Sequence, residues 1–285
     1  MSVALLTCLN PPESDPDETL LRDAVRARGV DAEIVAWDAA PPPSAHALWV
    51  PRSTWDYHHR VDEFLAFCAR TAARSTLLNP LHLIRWNVRK HYLRELKQRG
   101  VPVVRTAFVP QGGGPDSLAE IASIQGWDDL VIKPAISAAS FSTRRFQRPD
   151  FEAAEAFLRE LTETRDAMVQ GYVKDVEVGG ERAVVFIDGE LTHAVRKSPR
   201  LADQEESVSE ALPVAPDERD LAEMALRPFR ERLLYARVDM VRDDSGVPMI
   251  MELELIEPSL FLAQHPPALA RLADAIAKAA RPLSP

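Results

Sequence analysis

Cysteine is nearly absent. The chain of 285 residues has two, Cys8 and Cys68, which excludes a disulfide framework and suits a reducing, cytoplasmic setting. Glycine is sparse as well, at 11 residues. Neither G-x-x-x-x-G-K-[ST] nor G-x-G-x-x-G occurs, so the P-loop and the Rossmann fingerprint are both excluded. No apolar run approaches the ~20 residues of a membrane span. The N-terminal "MSVALLTCLNPPESD" has no basic segment ahead of its short apolar run, so it reads as a first strand and not a signal peptide. Basic charge is in deficit: 34 Lys and Arg against 43 Asp and Glu leave a net charge of −9, the wrong sign for a nucleic-acid surface. No internal repeat is visible.

What is present is globular: 46% hydrophobic and 27% charged residues, at a length that fits two or three subdomains. The first part alternates strand and helix. "VALLTCL", "DAEIVAW", "HALWV" and "STLLN" read as strands, with helices over Glu18–Arg28 and Val61–Thr71. Such alternation predicts a parallel sheet with its ligands beyond the carboxyl ends of the strands, which singles out the loop "PRSTWDYHHR". From Trp86 onward the pattern predicts a helix over Val88–Arg99, strand "VVRTAFV", helix Ser117–Ile124, strand "DLVIKP", the small-residue loop "AISAASFST", helix Phe151–Leu161 and strand "AMVQGYV". A third block follows. It has a hairpin turning at Asp188-Gly189, a long polar loop over 198–216, a helix near Glu218–Arg232, a second hairpin turning at "RDDSG", and a last helix near Pro267–Ala280.

The second hairpin carries the strongest chemical signal. Glu252 and Glu254 share one face of a strand, and the hairpin brings Asp239 toward them. Three hard oxygen donors on one face suit Mg²⁺, with phosphates as further ligands; a solvated acidic face is the alternative. Lys133, inside an apolar strand and followed by a loop of small residues, suggests phosphate binding, or a lysine whose stem reaches solvent. Lys90 near a helix start and Arg196 on a strand each suit an anion or plain exposure. Glu177 and Glu181 flank a Gly-Gly turn and could accept ribose hydroxyls. His58-His59 has no third partner at metal spacing, and Cys8 has no histidine spaced to activate it.

The order of these features resembles the ATP-grasp superfamily: lysine on a helix, lysine on a strand, small-residue loop, "MVQGYV", acidic residue, arginine strand, then Asp…Glu-x-Glu. "RSTWDY", "RWNVRKHYLRELKQRGVPVVRT", "THAVRKSP" and "ELELIEPSLF" resemble, more narrowly, the branch that includes O-ureido-D-serine cyclo-ligase of cycloserine biosynthesis. The resemblance implies an α/β (α+β) ATP-grasp fold. A parallel α/β subdomain (1–86) would precede two subdomains (87–170 and 171–285) that clamp ATP. It implies ATP and Mg²⁺ as cofactors, a small amino-acid-like substrate, no nucleic-acid or membrane partner, and homodimers as a common assembly. Lys90, Lys133, Ser137 and Ser140 would meet the phosphates under a flap over Ile136–Thr143, which has no glycine here. Gln170, Tyr172 and Val173 would form the adenine hinge, Glu181 and Glu177 would face the ribose, and Arg196 and Lys133 would stabilise the transferring phosphoryl group. Asp239, Glu252 and Glu254 would hold Mg²⁺. Arg52, Ser53, Trp55, Asp56, Tyr57 and Ser259 would take the substrate. The reaction implied is ligation of a carboxylate to a nitrogen through an acylphosphate, within one molecule or between two. Kinase activity, a non-catalytic nucleotide binder and a plain structural domain are the competing readings.

Overall fold

Three four-stranded sheets organise the chain. The structure is a computed structural model and describes residues 2–113, 116–138, 141–198, 207–229 and 233–281. The N-terminal alternation builds β1 (Ser2–Thr7), α1 (Pro16–Arg26), β2 (Asp31–Ala36), β3 (Leu48–Ser53), α2 (Val61–Ala72) and β4 (Thr76–Leu77), with the strands parallel in the order β2-β1-β3-β4. α1 starts where the sequence chemistry says it should. The Asp15 side chain accepts the Asp17 amide at 2.9 Å, Pro16 occupies the first turn, and Asp17 and Glu18 complement the helix dipole.

β3 is longer than its apolar core suggests. The expected loop residues Arg52 and Ser53 belong to the strand and are buried. The strand lies between β1 and β4, and a register shift at Leu6/Thr7 accommodates the stretch around Pro51. The helix expected over Val88–Arg99 is also different. α3 (Leu81–Asn87) ends before it and α4 (Tyr92–Gln98) begins late. The break between them is held by the Lys90 amide donating to Ala135 O at 2.8 Å.

The second sheet is antiparallel, with order β5-β8-β6-β7, formed by β5 (Thr106–Val109), β6 (Asp129–Pro134), β7 (Arg144–Gln147) and β8 (Ala167–Gly171). α5 (Asp116–Gln125) and α6 (Phe151–Thr164) cover one face, around Leu118, Ile132, Leu158 and Val169. Beyond the short α7 (Asp175–Val178), β9 (Glu181–Ile187) and β10 (Glu190–Lys197) form the first predicted hairpin. Its turn places Asp188 and Gly189 at φ 49° and 73°, the left-handed pair that matches strand twist. α8 spans Pro216–Leu226, shorter than the expected helix. β11 (Tyr235–Arg242) and β12 (Pro248–Glu254) form the second hairpin, and α9 (Pro266–Ala279) closes the fold. The third sheet runs β10-β9-β11-β12. Of the expected polar loop, residues 199–206 lie outside the described residues. Beyond them the chain returns to β10, where Leu212 N donates to Ala194 O at 2.7 Å.

One hydrophobic core joins the first and third sheets: Val3, Leu5, Leu21 and Val25 pack with Val185, Ile187, Leu272 and Ile276. No helix among the described residues is long and apolar enough to cross a membrane.

Candidate active site

β12 is an edge strand; its outer ladder groups are met at Ile250 by the backbone of Pro102 and Val104, and beyond it by side chains. Asn87 Nδ2 donates to Leu253 O at 2.8 Å and Asn87 Oδ1 accepts from Leu255 N at 2.8 Å. Tyr92 Oη accepts from Leu253 N, and Asn79 Nδ2 donates to Leu255 O. Orphaned buried backbone groups are costly, so these clamps seat β12 firmly. β12 in turn aims Glu252 and Glu254 into a cavity of about 230 Å³.

The hairpin register sets Asp239 opposite Glu252 and Arg237 opposite Glu254. All four side chains line that cavity, together with Lys90, Lys133, Glu181, Lys197 and Glu257. Lys90 Nζ lies 2.5 Å from Glu252 and donates to Ser137 O at 2.9 Å. Arg237 grips both oxygens of Asp239 at 2.8 Å and reaches Glu254 at 2.5 Å. Lys197 Nζ bridges Asp239 at 2.8 Å and Glu181.

With Glu13, six carboxylates line the cavity beside four cations, and the pairing is uneven. Among the described residues Lys133 and Glu257 each lack an ion pair. Burial pushes Glu181 and Glu254 up to about 7 and Glu257 up to about 8. Burial works the same way on Asp239, but Arg237 and Lys197 hold it well below the usual carboxylate range. Desolvation lowers Lys133. Such strongly perturbed groups in one cleft mark a functional site.

Part of the cavity lining is apolar: it includes Val104, Val131, Val176 and Met251, along with Gln170, Tyr172 and Val173. Gln170 Nε2 donates to Thr106 Oγ1 at 2.8 Å. Tyr172 is held by Arg145, whose guanidinium lies 3.5 Å from the ring centre and which also grips Asp129.

Several sequence expectations are corrected. Arg196 is exposed and does not line the cavity; Lys197 does, because adjacent residues of β10 face opposite ways. Glu177 is exposed outside the cavity, paired with Arg145 at 2.5 Å and Tyr172 Oη at 3.0 Å. Of the expected substrate residues, Trp55, Tyr57 and Ser259 line the cavity. Arg52 does not: it is buried beneath, with Nη2 donating to Pro258 O at 2.9 Å and its guanidinium over the Tyr235 ring. Ser53 bonds Thr7 and Glu18. Asp56 is taken up by Trp37 and Arg60, both at 2.7 Å. Ser140 lies outside the described residues. The sequence reading missed Lys197, Arg237, Asn87 and Glu257. Strand alternation applied to β10 and β11 would have found the first two.

The chain is similar to known proteins along its whole length. The sequence profile of "D-cycloserine synthetase DcsG, N-terminal domain" matches residues 3–79. The cycloserine biosynthesis protein DcsG of Streptomyces lavendulae is 33% identical, aligned over 98% of this chain and 99% of its own. The chain belongs to the D-cycloserine synthetase family. The crystal structure of D-cycloserine synthetase DcsG superimposes with a TM-score of 0.91 at 31% identity, covering 99% of this chain and 100% of that one. ATP-grasp ligase PsnB, complexed with minimal precursor, Mg and ADP, shares the fold. Its TM-score is 0.66 at 18% identity, over 98% of this chain and 97% of its own. The chain thus shares the DcsG fold, with a parallel N-terminal sheet and two antiparallel sheets lining the cavity.

Proposed function

We propose that this chain is an ATP- and Mg²⁺-dependent ligase that joins a carboxylate to a nitrogen through an acylphosphate. Its substrate is small and amino-acid-like, and ring closure within one molecule is the favoured form. The observation that carries the reading is the charge arrangement of the cavity: Lys133 stands ready for an anion, while Lys90, Lys197 and Arg237 are engaged by Glu252, Glu181, Asp239 and Glu254. The three sheets correspond to the three subdomains, divided near residues 86 and 170, and the cavity opens among them.

The residues fit magnesium in kind, since all the candidate donors are hard carboxylate oxygens. Among the described residues no three of them already stand as a closed metal nest. Glu252 and Glu254 each have one oxygen outside an ion pair, whereas Asp239 is gripped by Arg237 and Lys197. Glu252 and Glu254 would hold the ion, and Asp239 would join once Arg237 turns toward phosphate. Bound there, magnesium supplies charge neutralisation for the transferring phosphoryl group.

The protein's own contribution is placement and counter-charge. The apolar slot with Gln170, Tyr172 and Val173 takes the base, and Glu181 faces the ribose. Lys90 and Lys133 draw the phosphates, and Lys197 fills the role expected of Arg196. A closed flap keeps water from the acylphosphate. Trp55, Tyr57 and Ser259 shape the acid's end of the site.

The test is phosphate release from ATP and Mg²⁺ across amino acids and O-substituted serines, with mass spectrometry of each hit. Acid-dependent ADP together with an amide-type or cyclic product is expected. ADP without such a product would make the protein a kinase. The absence of a melting shift with millimolar ATP and Mg²⁺ would remove nucleotide chemistry altogether, since a ligand at 100 times its Kd stabilises by about 2.7 kcal/mol.

A further inference from the structure

Glu257 sits on the loop that leaves β12, three residues past Glu254, and its side chain is 8% exposed. Its position is built, not incidental. Trp55 Nε1 donates to Glu257 O at 2.9 Å, and Arg52 Nη2 donates to the next carbonyl, Pro258 O, at 2.9 Å. Tyr235 Oη donates to Ile256 O at 2.8 Å, just before it. Three buried side chains, Arg52 on β3, Trp55 on the loop after it and Tyr235 on β11, thus fix the backbone on both sides of one carboxylate.

That carboxylate lines the cavity, and so does the Tyr57 side chain. Glu181, Asp239, Glu252 and Glu254 each hold a lysine or arginine; among the described residues Glu257 holds none. A buried carboxylate without a cation is costly unless something with N–H groups meets it. Trp55, Tyr57 and Ser259, from the loop after β3 and the loop after β12, line the same cavity.

We propose that Glu257, backed by Tyr57, receives the nitrogen nucleophile of the ligation. The inference rests on the ligase reading above and gives that site its second half. Lys133 awaits the phosphate end of the reaction, and Glu257 awaits the nitrogen end. The nitrogen's lone pair forms the new C–N bond as the C–O bond to phosphate breaks. Phosphate leaves with that electron pair, and the proton lost by nitrogen passes to the Glu257 carboxylate to which it is hydrogen-bonded. The Tyr57 hydroxyl keeps the carboxylate turned toward the reacting carbon.

The experiment compares wild type, Glu257→Gln and Tyr57→Phe with ATP, Mg²⁺ and O-ureido-D-serine as the open-chain acid probe. Phosphate is measured colorimetrically and cyclic product by mass spectrometry. In Glu257→Gln the ratio of product to phosphate is expected to fall by about tenfold or more, with phosphate release largely kept as the untrapped acylphosphate is lost to water. Tyr57→Phe should show a smaller loss of the same ratio. An unchanged ratio in either variant overturns the proposal. So does a parallel fall of product and phosphate with a raised KM, which would mean the residue only holds the acid. If Glu257→Gln loses the ATP–Mg²⁺ melting shift and so is misfolded, the ratio in Tyr57→Phe decides. Wild type without acid-dependent phosphate sinks the ligase reading and this proposal together; coupled wild type with coupled variants sinks this proposal alone.

Discussion

Lys197 Nζ lies 2.8 Å from Asp239 Oδ2, while the side chain of its neighbour Arg196 is exposed on the other face of β10. The basic charge that serves the cavity is therefore the second of the pair. Lys197→Met is expected to lower ADP release by about 100-fold or more. It should also lower the melting temperature, since Asp239 and Glu181 both lose a partner. Arg196→Ala should stay within about threefold of wild type, as exposed substitutions usually do. Equal losses in the two variants would show that the strand face has been misassigned.

Glu252 and Lys90, 2.5 Å apart, lead to a second expectation. Glu252→Gln keeps the side-chain shape and leaves Lys90 its bonds to Ser137. Turnover should fall by about 100-fold or more, with only a small change in melting temperature. The stabilisation by ATP with Mg²⁺ should shrink toward that by ATP alone. Normal ADP release from this variant would mean that the carboxylate does not serve the metal.

Asn87 clamps the outer edge of β12 through both ends of its amide. Asn87→Ala would strand Leu253 O and Leu255 N without partners, at a cost of about 2–4 kcal/mol. Denaturant unfolding measures it; a cost under about 1 kcal/mol would mean that water replaces the side chain.

Arg52 reads from its sequence context as a ligand for a substrate carboxylate, yet it is buried under the loop that carries Glu257 and Ser259. Arg52→Met is expected to destabilise the fold by about 2–4 kcal/mol, visible as a lower melting temperature. Unchanged stability with a raised KM for the acid would return Arg52 to the pocket.

His193 stacks on His265 with ring centres 4.6 Å apart and 10° between planes. It is buried, and its Nε2 has no hydrogen-bond partner among the described residues. Burial, and then the nearby charge of His265, lower His193 to about 4 from an ordinary 6.5. The unfolded chain thus binds the extra proton first as pH falls. The stability contribution is full above about 6.5 and is lost between there and about 4. His193→Phe should be more stable than wild type at pH 4 by about 1–3 kcal/mol, with little difference at pH 8. Parallel stability–pH curves for the two proteins would refute the assignment.

The local pattern settles a good deal of this molecule. Alternation of apolar residues, the acidic first turn of α1, the Asp188-Gly189 turn and the Glu-x-Glu strand all act over a few residues, and a linear sequence displays them. Elements whose limits depend on distant partners were harder. β3 runs through Arg52 and Ser53 because neighbouring strands extend it. The chain breaks near Lys90, where that residue's amide meets Ala135 O on the strand end after β6.

The sequence by itself determined the mixed α/β class, the family, and the face on which Glu252 and Glu254 would lie. These follow from periodicity and motif order. Only the tertiary structure decided which charges meet. Lys197 reaching Asp239 across 42 residues, Arg52 turned to the Pro258 carbonyl across 206, and Glu257 left without a cation are outcomes of contacts between distant parts of the chain. Electrostatic pairing depends on distance in space, and separation along the chain carries no record of it.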